Sequence, residues 1–489
     1  ANVGTSLSDI KWNQLGNRGP IDENLIPNIF TVTQINRARL IPEQSGYHDQ
    51  TKSLFASVEL GWRSRLYLTM TGRNDWPSML AGPHSNKSSF FYPSIGSSWI
   101  ISESFNLPQQ IDYLKVRASF ASVGLSFPRW YANPKYTWDE NKKQWSSQTT
   151  YPMYNLKPER TDSWEFGLQT RLFKHFNIDL TYYLTKTYNQ TFDPKISASS
   201  GYSKMYIQTG NVRNQGLELA LGYNNTWGDF SWRSNYTFSM NRNKIKELVT
   251  AYVHPQTKAL ITVDKLDEGG LGAAHFILKK GGTLGDLYSL SDIQRDSNGK
   301  VYVDEDGKVY KNTNVEDIKL GSIFPKSNMA WRNEFSWKGL NLGVMVAARF
   351  GGIVYSATQA NLDYYGVSKT TANIRDKGGV SINDGENIIN PETWFTTIGA
   401  SDGIPIFYTY SATNVRLQEA SIGYTFKKNV LFGFGELTFS LVGRNLLMLY
   451  CKAPFDPETT ATTGNYYQGI DKFMTPSSRN LGFNIKLKF

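Results

Sequence analysis

The 489-residue sequence holds a single cysteine, Cys451, which excludes an internal disulfide framework and any cysteine-rich metal site. It also lacks the ~18 consecutive apolar residues that a membrane-spanning helix needs. Its best apolar run, Leu342 to Ala348, is broken by Gly343 and stopped by Arg349. A helical membrane protein is thereby excluded. A membrane barrel is not, because barrel strands alternate and leave no hydropathy peak. The five histidines show no ligand spacing, and neither a G-x-S-x-G elbow nor a P-loop occurs. No catalytic residue, metal or cofactor is expected. The acidic stretch from Asp296 to Gly307 evokes a calcium loop but lacks its spacing and closing glutamate. Asn298-Gly299 and Asp306-Gly307, flanked by Val301-Tyr302-Val303 and Val309-Tyr310, read instead as a small hairpin.

What the chain does have is aromatics, at 14%, and a net charge of +10. The dominant period is two. Leu54, Ala56, Val58, Leu60 and Trp62 alternate with Phe55, Ser57, Glu59 and Gly61. Trp164, Phe166 and Leu168 alternate with Glu165, Gly167 and Gln169, and Leu217, Leu219 and Leu221 with Glu218, Ala220 and Gly222. Each is a strand with one apolar and one polar face. The alternation test gives about thirteen such strands, the first starting near Ser53 and the last near Ser478.

The connections alternate as well. Arg63-Ser64, Lys174-His175, Gly228-Asp229 and Lys338-Gly339 are tight turns, and between them lie long segments such as 125–160, 248–324 and 356–412. A soluble domain rarely holds several loops beyond ~12–15 residues. Long loops at one end and short turns at the other fit an outer-membrane barrel. The expected fold is therefore all-β: a transmembrane antiparallel barrel with long extracellular loops and short periplasmic turns. At the C-terminus, Leu481, Phe483, Ile485, Leu487 and Phe489 form one apolar row. In a barrel that row faces lipid, and Phe483, Ile485, Leu487 and Phe489 resemble the assembly signal of bacterial outer-membrane barrels.

Several stretches, in order, resemble the SusC/RagA-type TonB-dependent transporters of Bacteroidetes. They are Thr71-Gly72-Arg73-Asn74-Asp75-Trp76, Phe91-Tyr92-Pro93-Ser94-Ile95 with Trp99, and Leu156-Lys157-Pro158-Glu159-Arg160-Thr161. Gly210-Asn211-Val212-Arg213-Asn214-Gln215-Gly216, Val415-Arg416-Leu417-Gln418-Glu419-Ala420, Gly443-Arg444-Asn445-Leu446 and Phe455-Asp456-Pro457-Glu458 follow. These motifs are read as structural. The resemblance implies a barrel of ~22 strands, of which this chain supplies about thirteen. It implies import of an oligosaccharide or peptide, a SusD-like surface lipoprotein as partner, and energy from TonB through a plug domain. Nothing here matches a plug or a TonB-contact segment, so the chain is expected to be the C-terminal portion of a transporter. Residues 1–52 are expected to be an extracellular loop region and residues 53–489 the barrel. By strand parity an odd number of strands, about nine of the ~22, would precede Ala1.

Candidate ligand contacts are loop aromatics, whose flat rings stack on sugars or grip peptide side chains. They are Trp130, Trp138, Trp145, Tyr364, Tyr365, Trp394, Tyr408, Tyr410, Tyr466 and Tyr467. The same rings could instead shape the loops or meet a partner protein. The basic excess suits outer-membrane lipid and lipopolysaccharide. No basic patch with a known nucleic-acid module occurs, so no nucleic acid is expected. The rival readings are a plug-less outer-membrane porin or adhesin, and a secreted β-rich hydrolase.

Overall fold

Alternating apolar and polar residues make a ribbon with two unlike faces. In the computed structural model these ribbons join edge to edge into one antiparallel sheet of 14 strands in chain order. The structure describes residues 1–489 except 22–25, 27, 30, 83–84, 86, 132–135, 140–142, 147–149, 152–155, 193–201, 254–257, 259, 427–434, 460–466 and 489. The wall strands are β1 (Asn2–Arg18), β2 (Ile41–Trp62), β3 (Leu66–Pro77), β4 (Phe90–Ile100), β5 (Ile111–Leu125), β6 (Glu159–Leu172) and β7 (Phe176–Phe192). They continue as β8 (Ile207–Trp227), β9 (Phe230–Glu247), β10 (Ser327–Trp337), β11 (Leu340–Phe350), β12 (Asn414–Phe426), β13 (Glu436–Cys451) and β14 (Asn480–Lys488).

The register lines up the apolar residues strand after strand. Phe120 faces Trp164, which faces Leu184; Leu180 faces Leu219, which faces Phe238; Ile422 faces Leu441, which faces Phe483. Many rings and aliphatic side chains of this band stay exposed, among them Phe166, Trp331, Leu441 and Phe483. A band of that extent is stable only where hydrocarbon covers it. The opposite face is polar. Short and long connections alternate along the chain. At the tight turns Arg63 and Ser64 both take positive φ, as do Phe173 and Lys174, the geometry that follows the twist of the paired strands.

One expectation is corrected. Residues 1–52 are mostly strand rather than a loop region: β1 pairs with β2 over Asn2 to Arg18, and β2 begins at Ile41, not Ser53. Asn2 lies opposite Ser57, close to the Arg63-Ser64 turn, so β1 starts at the short-turn end. The strand count becomes 14 and the parity argument for an odd remainder falls. The physical reason is legible in β1 itself. Val3 and Leu7 sit on one face but Ile10 and Trp12 on the other, where Trp12 stacks on Tyr47 at 5.4 Å. A strand prolonged beyond lipid needs backbone pairing but no unbroken apolar face.

Three long connections are not loops in any ordinary sense. The described residues of segments 248–326, 351–413 and 452–479 fold together into a cap. It contains a four-stranded sheet (Lys265–Leu271, Ala274–Lys279, Asp286–Ser289 and Ile318–Ser322) and three helices, α1 (Ala357–Tyr364), α2 (Lys369–Asp376) and α3 (Pro391–Ile398). Ile353–Ser356 pairs antiparallel with Thr409–Ser411 and parallel with Ile470–Asp471, tying two of the connections together. All three supply the core: Phe276 and Leu287 from the first, Trp394 and Ile404 from the second, Ile470 from the third. The expected hairpin at 296–310 is present, with Arg295 bridged to Val301 and Val303 to Val309.

Close strand approach in the wall depends on glycine at a few points. A Cβ on Gly216 would lie 2.3 Å from the Met240 carbonyl oxygen and 2.4 Å from the Tyr183 ring, whereas one on Gly96 would meet only Ser119 Cβ at 3.7 Å. Gly216→Ala is expected to lower stability by about 1–3 kcal/mol through overpacking, and Gly96→Ala by less than about 0.5 kcal/mol. Denaturant unfolding in detergent micelles, with equal losses for the two variants, would contradict this packing.

Candidate functional site

The polar face of the wall carries most of its charged side chains. Its charges are organised. Arg117 on β5 reaches across Gly167 of β6 to Asp179 on β7, Nη2 to Oδ1 at 3.2 Å, and donates to Thr181 at 2.5 Å. A side chain at position 167 would collide with Arg117, since its Cβ would stand 2.3 Å from Nε. Further along, Arg233 meets Glu334 at 3.5 Å and Arg332 meets Glu334 at 2.7 Å. Glu419 then accepts from Arg332 at 3.2 Å and from Arg444 at 3.0 Å. The result is a ladder of alternating sign from β9 to β13. The sequence signal for it was the charged residue on the polar side of each alternating strand; what could not be read was which strands bring the charges together.

Where wall meets cap, a cavity of about 1060 Å³ opens beside Tyr183, Glu218, Asn241, Thr283, Phe324 and Lys326. The cap is fixed to the wall at this level. Ile245 of β9 exchanges backbone hydrogen bonds with Gly281 and Gly282, both at 2.8 Å, and Leu284 N–H donates to the Asn243 side chain. Val212 and Ile245 pack there with Leu248, Leu266 and Leu278.

The aromatic candidates divide sharply. Trp138 and Trp145 face each other across a short hairpin, ring centroids 5.5 Å apart at 71°, and both are exposed. Tyr364 and Tyr365 follow each other at the end of α1, exposed and 5.0 Å apart. Trp130 is exposed with positive φ beside Arg129. Tyr410 is half-buried against Phe455, and Tyr467 packs on Phe276. Trp394 and Tyr408 are 8% and 2% exposed, so their expected ligand role is corrected: they are cap core, and burial pushes the Tyr408 hydroxyl far up. Burial likewise pushes Tyr355, in the same core, up to about 12. Tyr466 and Phe489 lie outside the described residues; Phe483, Ile485 and Leu487 are exposed on β14.

Five of the family-like motifs assemble into two sets. Arg73 binds Asp75 at 2.7 Å and Ser53 at 2.9 Å, while Tyr92 of the next motif donates to Asp75. Buried Arg416 binds Asp456 at 2.8 Å, Glu458 at 3.4 Å and Asn445 at 3.3 Å, so three motifs meet on one guanidinium. Burial works against ionisation of Asp456, but hydrogen bonds from Arg416 and the Glu458 amide outweigh it and hold its carboxyl below the usual range. Among the described residues no group of three or more metal-ligating side chains converges.

A family model described as TonB dependent receptor-like, beta-barrel matches residues 3–446. The TonB-dependent receptor P3 of Formosa agariphila is 24% identical over 510 residues, covering 95% of this chain and 48% of its own. TonB-dependent receptor P26 of the same organism is 25% identical over 500 residues, covering 94% and 48%. The chain thus spans about half the length of these curated relatives. The RagAB peptide importer in its open-open state superposes with a TM-score of 0.73 at 18% identity, covering 100% of this chain and 52% of that one. Its closed-closed state gives 0.71, also at 18% identity, covering 100% and 53%. The fold agrees with the barrel expected from the alternation and with the resemblance to SusC/RagA-type proteins.

Arg416→Ala leaves Asp456 without its partner in a desolvated site, at a cost of about 3–5 kcal/mol. Protease cleavage within 452–479 should accelerate while the wall stays folded. Arg416→Lys should rescue little, because a single ammonium does not replace the planar fork. The pair also sets an acid limit. Since the folded carboxyl is depressed below the ordinary aspartate value of 3.8, its stabilisation is complete above that pH and is lost as pH falls through the lowered value. The same cleavage assay, run from pH 6 downward, reads that loss; an unchanged rate in Arg416→Ala would remove the pair from the account.

Proposed function

Because this chain belongs to the TonB-dependent receptor-like β-barrel family and so lies in the outer membrane, we propose that it forms much of the wall and the outer cap of an importer for large nutrients. One observation carries the reading most. A single sheet presents an apolar face fit for lipid, while its charged polar face runs up to a folded cap. The long connections are the extracellular side in this reading and the tight turns the periplasmic side. Cargo would meet the cap first and then the charge ladder between Arg233 and Arg444. No bond is made or broken, so the side chains position and conduct rather than catalyse.

The remaining parts are proposals of the same reading. β1 and β14 are each paired on one side only among the described residues. Unpaired backbone in hydrocarbon is costly, so further strands of the longer protein would continue the wall. A plug domain in that remainder would take the pull from TonB. A SusD-like lipoprotein would sit on the cap. The cargo would be an oligosaccharide or a peptide; the fold's likeness to a protein described as a peptide importer favours the peptide. The plug-less porin or adhesin is the second reading, favoured by nothing in the geometry.

Exposed Trp138 and Trp145 are the strongest remaining ligand candidates, with Trp130, Tyr364 and Tyr365 behind them. The test is uptake and equilibrium binding of peptide and oligosaccharide libraries by the complete protein with and without its lipoprotein partner. Trp138→Ala and Trp145→Ala should each weaken binding by about 0.5–1.5 kcal/mol at unchanged protein level. Trp394→Ala should instead cost about 3–5 kcal/mol of stability and reduce folded protein. Uptake that persists without TonB would overturn the importer in favour of the porin.

A further inference from the structure

On β7, β8 and β9 the apolar face can be followed row by row toward the long-connection end. Leu180, Leu219 and Phe238 form one row, and Tyr182, Leu217 and Met240 the next. The following row is Leu184, Gln215 and Arg242, and the one after it is Lys186, Arg213 and Lys244. Past Lys244 the register shifts by one residue, leaving Lys246 as a bulge and Glu247 opposite Asn211. Rows are about 7 Å apart along a strand. On these three strands the lipid-facing surface therefore changes from apolar to basic within two rows, with carboxylates only at its margins, Asp162 of β6 opposite Lys186 and Glu247 in the row beyond.

These cations are poorly served by the protein. Lys186, Arg242, Lys244 and Lys246 are exposed, and none of the five makes an ion pair among the described residues. The carboxylate nearest in register to Lys186, Asp162, is held by Arg160 at 2.9 Å and by Ser122 at 2.6 Å. Repulsion from Arg213, Lys244 and Lys186 acts on the Lys246 ammonium. The Arg213 Nε is buried with no acceptor. Like charges crowded on one surface are unfavourable until an anion joins them.

We propose that this patch binds the phosphate groups of an anionic lipid in the leaflet at the long-connection end, with the acyl chains lying over Leu184, Leu217 and Met240. The occupant follows from continuity. The basic rows and the apolar rows are one surface, and a lipid is the ligand that carries phosphate on one end and hydrocarbon on the other. Arg242 can bind phosphate through two parallel N–H bonds, and the three lysines add point charges. The inference rests on the reading that the apolar face meets lipid. It does not depend on the cargo.

The experiment uses the complete protein purified from outer membranes in mild detergent, probed by native mass spectrometry and lipid phosphorus. It is titrated with a phosphorylated outer-leaflet glycolipid, the same lipid without phosphate, and inorganic phosphate. The variant K186Q/R242Q/K244Q/K246Q is compared with K338Q, which removes a cation at the short-turn end. The phosphorylated lipid should remain bound to the parent and to K338Q, and bind the fourfold variant at least about tenfold more weakly, since each basic residue near an anionic surface is worth on the order of fivefold. Binding should weaken with salt. Equal retention by the fourfold variant, or equal binding of the dephosphorylated lipid, would overturn the proposal. Inorganic phosphate that displaces the lipid at micromolar concentration would show a soluble-anion site and overturn the lipid assignment. Should the fourfold variant lose its folded, heat-modifiable gel band, R242Q and K244Q are judged singly, at about three- to fivefold each. A protein that never partitions into micelles refutes the membrane reading itself, a result distinct from any of these.

Discussion

The constraint on which the rest depends is that hydrocarbon offers no hydrogen bonds. A backbone amide exposed to lipid must be paired by another strand, so the wall can only be a sheet, and every interior strand of it is paired on both sides. The same constraint splits the side chains. One face must be apolar along the lipid-covered rows, and everything polar must turn the other way. Arg117, Asp179, Arg332, Glu334 and Glu419 share the polar face for that reason and not because they were recruited one by one. Their pairs are solvated, and such pairs contribute roughly 0–1 kcal/mol each. Their value to the molecule is a wet inner surface rather than stability.

That constraint also decides what could be read from the sequence. Wherever lipid enforces alternation the strands were legible, as in Trp164 to Gln169 or Leu217 to Gly222. Beyond the lipid the rule relaxes. β1 mixes its faces at Ile10 and Trp12, and the Ile41 to Lys52 part of β2 is largely polar, so neither was visible by period alone. The cap was missed for a different reason. Its core is built from short elements of three distant connections, and no single window contains them. Its helices did leave local marks. The side chains of Ser356 and Ser368 cap α1 and α2, and Asn390-Pro391 opens α3. The candidate site suffered most, because exposure decides between ligand contact and core. Trp138 and Trp394 look alike in sequence, yet the first is exposed and the second buried.

The motifs that carry the family likeness gain a physical explanation. Arg73, Asp75 and Tyr92 come from two of them and meet on the polar face near the long-connection end. Arg416, Asn445, Asp456 and Glu458 come from three others and meet where β12 leaves the wall. Each set ties a strand end to a neighbouring strand or to the connection above it. A buried guanidinium that has lost one carboxylate is a larger liability than one never placed there, so these sets hold together or fail together.

The cap cannot behave as a lid hinged on loose tethers. Its lower edge continues β9 through the backbone bonds between Ile245 and the 281–282 segment, and Val212, Ile245, Leu248, Leu266 and Leu278 close the joint. Exposing such side chains costs about 1.5–3 kcal/mol each, so tilting the cap away from this edge opposes several of these terms at once together with the hydrogen bonds. The three connections are further locked by the Tyr355 amide bonded to Gly469 at 2.8 Å and by Ser291 bonded to Gly403 at 2.6 Å. The Trp138–Trp145 hairpin and the Tyr364–Tyr365 end of α1 lie outside this core, with their rings exposed. The wall and the cap form one fixed frame, and the exposed aromatics stand outside its core.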